Sequence, residues 1–137
     1  MPISPDDCVA RFIRRERDCR NGIIKPSVFI PRNDDTEISV FTISGLQEDQ
    51  IWELGRSRLK VCIAGRADLT VSAIYEKGLE IKTSNLNDRH AGIIPVPKLP
   101  FPDDSNDHRN ETAKRTRRDI AAKLIAISRF CKVSKKR

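Results

Sequence analysis

The chain has 137 residues and carries 26 Lys and Arg against 19 Asp and Glu, a formal charge of +7. Apolar residues at 38% and charged residues at 33% fit one polar globular domain and exclude a disordered chain. No window approaches the roughly 18 apolar residues of a membrane span, and five Phe, one Trp and one Tyr are too few for a broad stacking platform for single strands.

The N-terminal MPISPDDCVARFIRRER lacks the apolar stretch of a signal peptide, which points to a cytoplasmic protein. Cys8, Cys19, Cys62 and Cys131 form no CxxC pair and read as reduced thiols, without disulfide or zinc. Across Cys8–Arg20, Val9, Phe12 and Ile13 interleave with Arg11, Arg14, Arg15, Arg17 and Arg20, and the spacing predicts a short amphipathic helix with its arginines outward. Asn21-Gly22 supplies a turn. Ser27–Pro31 predicts a short strand, followed by a polar turn and a second strand over Glu37–Ile43 whose residues alternate. Together the two runs read as a hairpin.

Ser44 and Gln47 form a capping-box pattern ahead of a helix over Gly45–Arg58 that buries Ile51, Trp52 and Leu54. Leu59–Ala64 is a near-continuous apolar run and predicts a buried central strand. A short helix follows Gly65-Arg66-Ala67-Asp68, capped by Asp68 or Thr70 and stopped at Gly78. Leu79–Thr83 and Ala91–Val96 predict further extended segments.

PVPKLPFP must be extended, since each proline fixes φ and removes a donor. It reads as a strap that ends a body over residues 1–104. The acidic residues Asp103, Asp104 and Asp107 lack the glycine and distal glutamate of a calcium loop, and suit a helix N-terminus instead. Neither a metal nor another cofactor is called for.

A long helix over Asn110–Cys131 and a short tail follow, as part of the same domain. Residues 105–137 hold eleven basic and three acidic residues, whereas the preceding 104 hold fifteen and sixteen. All the excess charge is therefore local, which argues for an anionic partner. Lys114, Arg115, Arg117, Arg118, Arg129, Lys132, Lys135, Lys136 and Arg137, with Arg14 and Arg15, are the candidate phosphate contacts of a DNA or RNA backbone.

Ile120, Leu124 and Ile127 form an apolar stripe on the same helix. It can pack on the body, on a protein partner or on a second copy of the chain. A candidate catalytic set combines His90, Arg66, Asp68 and Arg89: His90 to move a proton and the arginines to hold phosphate oxygens, as a nuclease or phosphotransferase requires. Asp68 as a helix cap paired with Arg66 is the simpler reading of half of that set.

The segments VFIP, SVFTISGL, IWELG, GRADLTVSAI and RHAGI, in this order, resemble those of small bacterial proteins of similar length over residues 11–97. The resemblance implies a bacterial cytoplasmic subunit acting beside other proteins and transfers no activity or site residue. The fold expected is α+β: a small, mostly antiparallel sheet from residues near 27–31, 37–43, 59–64 and 79–83, covered by helices on one side, with a long basic C-terminal helix. The leading function is a non-enzymatic nucleic-acid-binding or accessory subunit.

Overall fold

A computed structural model describes residues 3–32, 35–83, 89–97, 99 and 108–133. The strands are β1 (Cys8–Ile13), β2 (Ile38–Thr42), β3 (Gly65–Thr70), β4 (Glu80–Thr83), β5 (His90–Ile94) and β6 (Arg129–Lys132). The helices are α1 (Glu48–Leu59), α2 (Val71–Glu76) and α3 (His108–Ile127). The strands form one six-stranded sheet in the order β4-β5-β2-β1-β3-β6, every ladder antiparallel, so the fold is α+β.

Both faces of this sheet are covered, not one. On one face Ala10, Phe12 and Ile43 pack against Ile51 and Trp52 of α1 and against Ile63. On the other, Val9, Ile13, Val40, Leu69 and Ile93 meet Ile74 of α2, Ile120 and Leu124 of α3, and Val28 and Phe29 of a 3-10 turn over Pro26–Phe29.

This two-sided burial explains the largest departure from the sequence expectation. Cys8–Ile13 is a central strand, not a helix, because Val9, Ala10, Phe12 and Ile13 are all buried and the segment has no polar face. A strand covered on both sides loses the alternation that identifies it. The expected turn at Asn21-Gly22 forms, with positive φ at both residues.

Residues 27–31 are not a strand. Pro26 starts the 3-10 turn, so the expected hairpin with β2 does not exist, and β2 pairs with β1 and β5 instead. Residues 60–64 are likewise irregular. Lys60 turns left-handed at φ 57° and ends α1, Cys62 is exposed, and Ile63 drops beneath α1.

The strand there begins at Gly65, in the segment expected to turn toward a helix. A Cβ on Gly65 would stand 2.8 Å from the Phe130 ring, so the glycine marks the close approach of β6 to β3. At the other end of α1, Gln47 and Gln50 complete a capping box, one turn later than the Ser44 pattern predicts. The Ser44 hydroxyl instead accepts from the Cys8 amide at 2.8 Å.

Thr70 caps α2 as expected, accepting from the Ala73 amide, while Asp68 lies within β3. The strands β4 and β5 fall where the sequence places them. Of the proline strap only residues 95–97 and 99 are described, and the acidic run at 103–107 lies outside the described residues.

The helix α3 stops at Ile127, where the Ser128 hydroxyl donates to the Ile125 carbonyl. Arg129, Cys131 and Lys132 therefore belong to a sheet edge and not to the helix.

The packing of α1 rests on Gly55. A Cβ there would come within 2.6 Å of the Phe12 ring and 2.8 Å of Ile63. Gly55→Val is expected to cost about 3 kcal/mol through overpacking, read as a lower urea midpoint with an unchanged slope.

Candidate phosphate-binding cleft and basic helix face

The sheet is split near its middle. The β1–β2 ladder runs through Val9–Thr42 and Ala10–Phe41 only. Beyond it β1 continues along β3 as far as Ile13, and β2 along β5 as far as Ile38. A cleft of about 550 Å³ opens where the two strands part, and it is lined by Arg11, Arg14, Arg15 and Arg32 together with Asp18, Asp35 and Glu37.

Arg11 is the residue that holds this split open. Its Nε donates to the Val28 carbonyl and its Nη1 to the Ser39 carbonyl, both at 2.8 Å. A guanidinium thus stands where strand-to-strand hydrogen bonds would otherwise close the gap. Burial, reinforced by the neighbouring charge of Arg14, pulls the Arg11 pKa down, and Asp35 opposes this. Both observations describe a half-buried cation held by neutral carbonyls. Among the described residues, Arg11, Arg14 and Arg15 make no ion pair.

The acids of the cleft are engaged elsewhere or only loosely paired. Asp18 accepts from the Ser27 hydroxyl at 3.1 Å, and Asp35 lies 3.8 Å from Arg32. The Glu37 carboxyl lies over Gly92, where an added Cβ would meet it at 2.5 Å.

Arg117 is the clearest correction to the candidate phosphate contacts. It is 2% exposed and faces inward from α3, where its Nη2 donates to the Arg32 and Asp35 carbonyls at 2.9 and 2.8 Å. Its Nε is buried without a partner. Burial pulls its pKa down against the opposing pull of Asp35. Arg117 therefore latches the segment bearing Arg32 to α3 and cannot present its charge to solvent.

Lys114, Arg115 and Arg118 are exposed on α3, as is Lys123. Lys114 is 4.0 Å from Glu111. Arg129 and Lys132 are exposed on β6, the sheet edge beyond β3, and so belong to a second basic area. Lys135, Lys136 and Arg137 lie outside the described residues. The apolar stripe packs at home: Ile120 and Leu124 are buried in the chain's own core and Ile127 rests against it. In this arrangement Ile120 and Leu124 are not available to a partner.

The candidate catalytic set is not assembled. Arg66 is on β3 and His90 on β5, with β1 and β2 between them, which separates them by three strand spacings of about 4.8 Å each.

Arg66, 3% exposed, donates to both Glu48 carboxylate oxygens at 2.7 and 3.2 Å and to Asp68 at 2.8 Å, and lies over the Trp52 ring at 4.7 Å. Burial would lower its pKa, but the bonds to Glu48 and Asp68 outweigh that and raise it. The Asp68 carboxylate also accepts from the Cys131 thiol. Arg89 donates to the Thr42 and Ser44 carbonyls and ties β5 to the end of β2. Arg66, Asp68 and Arg89 hold the framework together.

The partner of His90 is Ser39. His90 Nε2 lies 3.2 Å from the Ser39 hydroxyl, with its ring edge-on to Phe41, and Ser39 lines the cleft. The sequence does not single out Arg11, Arg32 or Ser39 as site residues. For Arg11 a signal exists, since an arginine between two buried residues of a strand must find a polar partner inside the fold. Among the described residues no group of three or more His, Cys, Asp and Glu side chains could hold a metal ion, and no helix is long and apolar enough to cross a membrane.

No family model matches the chain, and neither a curated protein nor a solved structure is significantly similar to it.

Proposed function

We propose that the chain binds nucleic acid through the phosphate backbone, without base readout and without chemistry. The observation that carries this reading is the set of exposed arginines left without acids. Arg14 and Arg15 at the cleft, and Arg115 and Arg118 on α3, form no ion pair among the described residues. Arg117 joins these areas by fixing the cleft segment to α3. Cations of this kind release counterions from a polyanion, and each phosphate contact steepens the salt dependence of binding by about one unit of slope.

Arg115→Glu with Arg118→Glu is therefore expected to weaken binding of a labelled 20-base-pair duplex at least tenfold. The double-logarithmic salt slope should become shallower by about two. Fluorescence anisotropy from 50 to 300 mM salt measures both. Unchanged affinity and unchanged slope would sink the reading.

A second reading, phosphoryl transfer, is favoured by the His90–Ser39 pair, of which Ser39 lines the cleft. Here His90 takes the Ser39 proton as the oxygen attacks phosphorus, while cleft arginines hold the phosphate oxygens. The P–O bond to the leaving alcohol breaks, that oxygen receives the proton from His90, and water then hydrolyses the Ser39 phosphoester. Arg66 has no part in it. Release of labelled product from an oligonucleotide by wild type, lost in Ser39→Ala and in His90→Ala, would support this version; retained activity in either variant removes it.

A further inference from the structure

We propose that the split between β1 and β2 is a binding site for a phosphomonoester of nucleotide size, with its phosphate on Arg11, Arg14 and Arg15. This goes beyond backbone contact, because it depends on Arg11 inside the cleft and not on the cations of α3.

Three observations lead here. The first is the state of Arg11, whose Nε and Nη1 are satisfied by carbonyls that carry no net charge. A half-buried guanidinium is ordinarily balanced by an anion, and here no carboxylate among the described residues is within ion-pair distance. Arg11 lines the cleft together with Arg14 and Arg15. Three arginines lining one space suit a dianionic terminal phosphate better than the single charge of a diester, since forked donors pair with several oxygens at once.

The second observation is size. About 550 Å³ lies within the range of small-molecule pockets and is far more than a bare phosphate fills. The third is the chemistry of the remaining wall. Asp18, Asp35 and Glu37 offer acceptors, and Val28, Ile30 and Pro31 offer apolar surface. Carboxylates would repel a second phosphate but accept from sugar hydroxyls or an amino group on a base. The cleft therefore suits one phosphate attached to a hydroxylated, partly apolar body.

Isothermal titration calorimetry of the full chain with adenosine 5′-monophosphate, adenosine and inorganic phosphate tests this. The monophosphate is expected to bind at least a hundredfold more tightly than adenosine and at least tenfold more tightly than inorganic phosphate. No heat from the monophosphate up to millimolar concentration overturns the proposal, as does equal affinity for the monophosphate and either of the other probes.

Arg14→Ala with Arg15→Ala, both exposed and cheap to remove, should weaken the monophosphate at least tenfold; an unchanged affinity overturns the site. Arg11→Lys should weaken it at least as much. If that variant does not fold, the outer pair decides.

The Arg115→Glu, Arg118→Glu protein separates this site from the backbone reading. It should lose duplex affinity and keep the monophosphate, and a parallel loss of both would place the monophosphate on α3 and overturn the cleft. Loss of neither leaves the cleft standing and removes the backbone reading. A 5′-phosphorylated oligonucleotide that the monophosphate displaces, and that binds more tightly than its 5′-hydroxyl form, identifies a strand end as the source. Equal binding of the two forms identifies a free nucleotide.

Discussion

Leu124→Asp is expected to leave no cooperatively folded protein at 25 °C. Leu124 is fully buried, on the face of α3 that packs against the sheet. Removing a buried leucine side chain alone costs about 2–5 kcal/mol. Placing an unpaired carboxylate there costs several more or forces it to bind a proton. The sum approaches or exceeds the roughly 5–15 kcal/mol that holds a domain folded. Ala126→Asp, two residues away on the exposed side of the helix, should shift stability by no more than about 0.5 kcal/mol. Circular dichroism and urea titration of both variants check the pair. A folded Leu124→Asp protein with a wild-type midpoint would show that α3 does not pack as described.

The second large effect is at Arg66. Arg66→Met is expected to destabilise the fold by about 3–5 kcal/mol, the usual cost of stripping one partner from a buried ion pair. The loss falls mainly on Asp68, whose side chain is only 17% exposed, whereas Glu48 is 63% exposed and regains water. The double variant Arg66→Met, Asp68→Leu should recover part of the loss, because an apolar pair of similar volume leaves no orphan charge.

A pH dependence accompanies this. The hydrogen bonds from Arg66 hold the Glu48 carboxyl below its ordinary value of 4.5, against a smaller opposing effect of burial. The stabilisation it provides is complete above that value and disappears as pH falls through the lower value of the folded state. Stability of the wild type should therefore drop below pH 4.5, and the drop should be shallower in Arg66→Met. Urea midpoints from pH 3 to 7 would read both slopes; parallel curves would remove Glu48 from the account.

Legibility in the sequence followed burial. Segments with one wet face were readable: β2, β4, α2 with its Thr70 cap, and the exposed side of α3. The strand β1 was not, because Ala10 and Phe12 meet α1 while Val9 and Ile13 face the other layer, and the arginines between imitate a helical period. The strand β3 hid behind Gly65, a residue that reads as a turn until Phe130 is known to lie against it.

The candidate site was legible only at its rim. Arg14 and Arg15 stand out as exposed cations, but the cleft joins residues 11 to 39 through a break in a ladder, and no local pattern encodes a break. Arg117 shows the opposite failure. It sits in a run of charge, KRTRR, and only its place on the buried stripe of α3 distinguishes it from its neighbours.

The position of β6 has a consequence for how the chain is made. The bond between Cys131 and Asp68 spans 63 residues, and β6 pairs with β3 along that edge. While the chain is being synthesised, β3 can join β1 early, but its other side stays bare until residue 132 has left the ribosome. Throughout that interval the hydrogen-bonding groups of β3 stand ready to capture a strand of a neighbouring molecule. Arg66 and Asp68 project from that strand, and a charged pair within an unfinished edge obstructs such capture.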